Sequence, residues 1–197
     1  MDRFQNTRQP DWGWWGRLWP TPGATLRNLG VESGDTLAEV GSGNGYFALP
    51  AARITDPAPV YALDVNEALL ADLDDIAARQ EIRNVETVHG DARSLTDHLP
   101  GVVDVVLIAN TFHGVEATDA LVEEAFEALG PGGRFVVVNW QDRPRETTTA
   151  GGEPRGPPTD LRLSPEATER TVRDAAAVDL RRRVDLPPYH YALVFEV

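Results

Sequence analysis

Cysteine is absent from the 197 residues, which excludes disulfides, thiolate nucleophiles and cysteine-ligated metal centres. Lysine is absent too: all 18 bases are arginine, set against 31 acids, for a net charge of −13. Methionine occurs once. No apolar run approaches the ~18 residues of a membrane span, and the N-terminus lacks the basic-then-apolar pattern of a secretory leader. The expectation is a cytoplasmic protein with no membrane partner. A chain this poor in positive charge repels nucleic-acid phosphates at long range, so no nucleic-acid partner is expected either.

What is present reads as globular: 42% apolar and 25% charged residues, in a length that suits one domain over residues 1–197. A fold of this size buries roughly 70% of the surface its unfolded chain exposes. The acid excess is clustered. Residues 64–75 hold five acids and no base, and residues 101–130 hold six acids and no base. Arginine-favouring codons alone would account for the missing lysine. The clustered acids point further, to a halophilic protein whose self-repulsion is screened in molar salt.

Hydrophobic patterning predicts an alternation of strands and helices. Residues 1–20 read as irregular, with Trp12, Trp14, Trp15 and Trp19 close together. A short helix is expected over 21–29, then strands at 36–40, 60–64, 85–89, 102–109 and 134–140. Helices are expected near 46–53, 67–79 and 118–129, the last with Leu121, Ala125 and Leu129 on one face. Near-continuous apolar strands alternating with amphipathic helices indicate a parallel sheet covered on both faces. Residues 141–163, with four prolines and three glycines, read as a lid or a disordered loop. Ser164-Pro165 caps a helix to about residue 177, and two strand-like runs follow at 178–184 and 189–197.

The chemistry sits at the strand ends. Glu39-Val40-Gly41-Ser42-Gly43-Asn44-Gly45 closes the first strand and opens a helix. A dinucleotide fingerprint reads G-x-G-x-x-G, with its third glycine where Tyr46 stands; here the spacing is G-x-G-x-G. Glu39 would oppose a diphosphate at that helix N-terminus, whereas it attracts a ligand carrying an ammonium and a sulfonium. Asp64 ends the second strand, where a carboxylate accepts from both ribose hydroxyls, a feature shared with NAD-binding folds. Asp91 follows the third, placed to accept from an exocyclic amine. Each acid alone reads equally as a helix cap. Three at successive strand ends, with the glycine turn, point to one ligand crevice.

On these motifs the chain resembles the class I S-adenosylmethionine-dependent methyltransferases over residues 36–140. Residues 37–45 are similar to their first motif, 61–64 to the second, His89-Gly-Asp-Ala92 to the third, 104–110 to the fourth, and Leu129-Gly-Pro-Gly-Gly133 to the turn before strand five. The resemblance implies a Rossmann-like three-layer α/β sandwich with a mostly parallel seven-stranded sheet, the last strand antiparallel. It implies S-adenosyl-L-methionine as cofactor. The glycine turn (Gly41, Gly43, Gly45) and Glu39 would hold the methionine part, Asp64 the ribose, Val65 one adenine face, and Asp91 with Ala92 the adenine edge. Asn110 belongs to the same set. A nearer likeness is to the small ubiquinone/menaquinone-biosynthesis-like branch. Asn110-Thr-Phe-His113 is similar to its Asn-x-x-His-His, with Gly114 in place of the second histidine, and Arg162-Leu-Ser164 and residues 188–195 also resemble it.

The function implied is transfer of a methyl group, by in-line displacement, to a small-molecule substrate. The branch does not fix that substrate, although arsenite, whose methylation relies on cysteines, is disfavoured. A non-catalytic S-adenosylmethionine-binding module is the alternative, and an NAD(P)-dependent oxidoreductase is disfavoured by the glycine spacing and Glu39. His113 reads either as a general base toward the acceptor or as a histidine packed beneath the cleft. The tryptophans read as a lid over an apolar acceptor, as an aromatic staple to the sheet, or as a homodimer contact. Arg181, Arg182 and Arg183 read as solvated edge charges and His190 as a structural strand residue. His89 and His98 lack metal-ligand partners, and no metal site is expected.

Overall fold

The apolar strands and amphipathic helices read from the sequence form a seven-stranded sheet in a computed structural model that describes residues 12–197. Helices α1 (Trp12–Leu18) and α2 (Pro22–Asn28) lead into β1 (Leu37–Val40), α3 (Ala48–Thr55), β2 (Val60–Asp64), α4 (Glu67–Arg79) and β3 (Val85–His89). The short α5 (Leu95–His98) precedes β4 (Val103–Ala109), α6 (Thr118–Glu127) and β5 (Leu129–Trp140). A two-strand ribbon, β6 (Thr149–Ala150) and β7 (Glu153–Pro154), is followed by α7 (Pro165–Ala176), β8 (Leu180–Leu186) and β9 (His190–Glu196). The sheet order is β3-β2-β1-β4-β5-β9-β8. The first five strands pair in parallel, and the last strand, β9, runs antiparallel to both its neighbours.

Alternation along the strands builds two cores. Leu37, Val105 and Leu107 point to the face covered by α1–α4, and Ala38, Val106 and Ile108 to the face covered by α6 and α7. Each fully buried Leu, Val or Ile contributes about 1.5–3 kcal/mol, so the central strands anchor both layers. Helix α4 buries Leu70, Leu73 and Ala77, and Asn66 caps it by accepting from the Ala68 and Leu69 amides at 3.1 and 3.4 Å. Ser164 caps α7 by accepting from Ala167 N at 3.1 Å, with Pro165 in the first turn. The edge strand β8 exposes Arg181, Arg182 and Arg183; Arg183 pairs with Glu166 at 2.5 Å and Arg181 with Glu196 at 3.4 Å. Charges along an edge discourage further strand pairing.

Three expectations change. Residues 12–18, read as irregular, are helical; the rest of that reading, residues 1–11, lies outside the described residues. The 141–163 segment carries structure of its own. It forms the β6–β7 ribbon and two 3₁₀ turns, cross-linked by Arg162, which donates to Pro157 O at 3.1 Å, Thr148 Oγ1 at 2.9 Å and Arg155 O at 3.0 Å. Strand β5 starts at Leu129 rather than Arg134, because the Gly-Pro-Gly-Gly turn is taken up as a register shift against β4, and α6 ends at Glu127, so Leu129 is a strand residue and not part of the expected helix face. Among the described residues no helix is long and apolar enough to cross a membrane.

Candidate active site

Parallel register brings the carboxyl ends of β1, β2 and β4 to one level: Val40 lies opposite both Leu63 and Ile108. The chain must then turn sharply, and glycine permits it. Gly41 has φ +70°, and a Cβ there would lie 2.7 Å from Thr111 Oγ1; Gly45 has φ +89°, and its Cβ would meet Leu73 Cγ at 2.9 Å. Dihedral and space both require glycine at these positions. The turn is fixed from β2: Gly41 N and Ser42 N donate to Leu63 O at 2.8 and 3.0 Å, and Gly43 N donates to Asp64 Oδ2 at 2.8 Å. The other Asp64 oxygen accepts from Asn66 N at 2.9 Å.

The strand ends enclose a cleft of about 650 Å³, within the range of small-ligand sites. Seven of the anticipated residues form its wall: Gly41, Gly43, Asp64, Val65, Asp91, Ala92 and Asn110. Glu39, Gly45 and His113 stand outside it. Trp15, one of the tryptophans read as a candidate lid over the acceptor, lines the wall, and Thr111 and Arg93 join it without having been read as site residues. Trp15 stacks on Trp14 at 4.8 Å and on Tyr46 at 5.7 Å, so helix α1 brings an aromatic surface to the cleft. Nothing in the sequence marked Thr111 or Arg93.

Electrostatically the site is acidic and only partly satisfied. Glu39 is 2% exposed, and its Oε2 has no partner among the described residues. Burial, and secondarily the Asp64 charge, hold its pKa well above the ordinary value, against the smaller opposing effect of the Ala48 amide. Asp91 is held low by Arg93, whose guanidinium and backbone N–H both donate to its carboxylate. The Asp91 carboxylate, though engaged by Arg93, stays partly exposed on the cleft wall. Asn110 occupies the left-handed region at φ 60°, and both polar atoms of its buried amide lack partners among the described residues. Strain of this kind collects at ligand sites.

His113 is 5% exposed and lies in the turn between the cleft residues Thr111 and Gly114. Its Nδ1 is 2.9 Å from Asn139 Oδ1, which also accepts from Trp140 N at 3.0 Å. The backbone donor fixes the amide orientation, so His113 Nδ1 carries the hydrogen and, in the neutral ring, Nε2 carries the lone pair. Burial lowers the His113 pKa, outweighing the Asn139 hydrogen bond.

Asp64 and Asp91 present carboxylates to the cleft, and the buried Glu39 Oε2 and Asn110 amide lie without partners among the described residues, an acidic wall that suits a ligand bringing hydrogen-bond donors and positive charge. A family model described as a methyltransferase domain matches residues 31–155. The ribosomal protein L11 methyltransferase of Limosilactobacillus fermentum is 28% identical over 134 residues, 65% of this chain and 38% of that protein. The probable cobalt-precorrin-6B C(15)-methyltransferase (decarboxylating) of Methanosarcina acetivorans is 34% identical over 116 residues, 58% of this chain and 60% of that one. The chain thus spans less than two thirds of either relative. Among solved structures, a SAM-dependent methyltransferase from Aquifex aeolicus has the same fold, with a TM-score of 0.79 over 92% of this chain and 93% of that one at 22% identity.

Proposed function

The chain belongs to the methyltransferase-domain family, and from that premise we propose that it binds S-adenosyl-L-methionine in this cleft and methylates a small molecule. The observation that carries the reading is Asp64, whose carboxylate braces the glycine turn through Gly43 N and faces the same cleft as Val65, Asp91, Ala92 and Asn110. S-adenosylmethionine, when bound, supplies an electrophilic sulfonium methyl. The residues of this chain bind and orient it: Asp64 the ribose, Asp91 with Ala92 the adenine edge, Val65 an adenine face. Gly41, Gly43, Gly45 and Glu39 form the methionine end, with Asn110 beside it. Trp15 and the 141–163 segment exclude water from the acceptor side, and alignment contributes most of the rate. His113 takes the proton of the attacking group through Nε2, the acceptor reaching past the Gly114 turn.

Glu39 gives a test in which stability and binding move in opposite directions. Because its folded pKa is raised, its carboxyl favours the fold fully below the ordinary value of 4.5, and that contribution is lost as pH rises through the folded pKa. Glu39→Gln should therefore lose less stability than wild type between pH 5 and pH 8 in thermal melts without cofactor. The same variant should bind S-adenosylmethionine about tenfold more weakly, having lost a charge-assisted contact to the ammonium. Unchanged affinity would remove Glu39 from the site.

The acid excess carries a separate expectation. With a net charge of −13, self-repulsion should destabilise the fold in dilute buffer, and melting midpoints should climb from tenth-molar to several-molar potassium chloride. A flat or falling midpoint would leave codon bias as the origin of the composition.

A further inference from the structure

Beyond the ends of β4 and β5, away from Asp64 and Asp91, lies a second group of buried polar side chains that the cofactor does not use. His190 is 0% exposed, held between Trp19 at 4.5 Å and Trp140 at 4.2 Å, and neither ring nitrogen has a partner among the described residues. Arg162 is 7% exposed, with its guanidinium 5.2 Å from the centre of the Trp140 ring. Its Nη1 has no hydrogen-bond partner, and no carboxylate pairs with it among the described residues. Trp19 Nε1 is likewise buried and unpartnered among the described residues, whereas the Asn139 amide is bonded to the Tyr191 hydroxyl.

The chemistry of this set is weighted toward donors: indole N–H and guanidinium N–H can only donate, and the buried neutral His190 ring brings one donor and one acceptor. Each buried donor without an acceptor costs free energy, and a buried unpaired charge costs more. With 31 acids in the sequence, a carboxylate partner for Arg162 was not scarce. Glu146 acts on the Arg162 guanidinium only through its charge and forms no ion pair with it among the described residues, so the open position suits an oxygen anion, flat enough to lie among aromatic rings.

Its position relates it to the transfer site. Asn139 is bonded to His113, and His113 is flanked by Thr111 and Gly114 of the cleft wall. Arg162 lies close enough to both imidazoles to disfavour their protonation.

We propose that Arg162, with Trp19 and His190, binds a carboxylate of the methyl acceptor, so that the substrate class is a small aromatic organic acid. This rests on the methyltransferase reading above. In a chain whose overall field repels anions, a buried cation gives local selectivity that the surface cannot.

The test is binding of benzoate, 4-hydroxybenzoate and phenylacetate, each against its primary amide, to protein saturated with S-adenosylhomocysteine. Ligand-observed NMR in molar potassium chloride suits weak affinities. At least one acid should bind about tenfold more tightly than its amide, as a charge-assisted contact would give. Arg162→Gln should reduce that preference to less than about threefold while keeping S-adenosylhomocysteine affinity, and Arg162→Lys should retain part of it. Because Arg162 also cross-links the 141–163 segment, Trp19→Phe serves if the glutamine variant does not fold; it deletes one donor and must narrow the preference. Equal binding of acids and amides, as expected if internal water satisfies these groups, overturns the proposal, as does a preference that survives Arg162→Gln. Failure of wild type to bind S-adenosylhomocysteine would instead overturn the methyltransferase reading.

Discussion

Asp64→Ala is expected to weaken S-adenosylmethionine binding by about 30- to 1000-fold, about 2–4 kcal/mol. Two effects combine. The ribose loses a charge-assisted acceptor, and the glycine turn loses the brace between Gly43 N and Asp64 Oδ2 at 2.8 Å. Asp64→Asn separates them, since one carbonyl oxygen can still accept from Gly43 N while the charge is gone; its loss should be intermediate. Calorimetry on both variants, with melts of the cofactor-free proteins, distinguishes a damaged site from a damaged fold. An alanine variant that folds and binds as wild type would exclude Asp64 as an anchor.

His113→Ala should reduce methyl transfer by about 10²–10⁴-fold, the usual contribution of a positioned base. Affinity for S-adenosylmethionine should stay within about threefold, because the imidazole lies outside the cofactor wall. The pH profile gives a second readout. A base works when unprotonated, and burial lowers the pKa of this ring below 6.5. Activity should therefore persist below the range where a free imidazole would protonate, and the variant should lose that ionisation. Labelled-methyl transfer to an acceptor found among the organic acids provides the assay. Near-wild-type transfer by the alanine variant would make His113 a packing residue of the turn.

Local features of the fold were the most legible in the sequence. Helix α4 was expected over 67–79 and occupies Glu67–Arg79, because its Asn66 cap and its Leu70, Leu73 and Ala77 stripe are all short-range signals. The antiparallel β9 came from family resemblance, since its pairing with β5 spans the whole C-terminal third and leaves no local periodicity. Helix α1 was missed because Gly13, Gly16 and the tryptophans are indifferent helix formers, and tertiary packing on Tyr46 and Phe47 overrides that preference. In the site, Gly41, Asp64 and Asp91 were readable because strand ends in a parallel sheet converge. Whether a strand-end acid faces the cleft or the layer behind it depends on pleat and register, and so the burial of Glu39 was not readable. Arg162 and His190 are 28 residues apart and meet through Trp140, so His190, read as structural, became part of a polar cluster only in three dimensions.

The acidic strand-end cleft is expected to take S-adenosylmethionine in preference to a dinucleotide. Calorimetric titration of the protein in molar potassium chloride with S-adenosylmethionine and, separately, with NADH tests it most directly. Saturable one-to-one binding of S-adenosylmethionine and none of NADH is expected; binding of NADH with no response to S-adenosylmethionine would overturn the assignment.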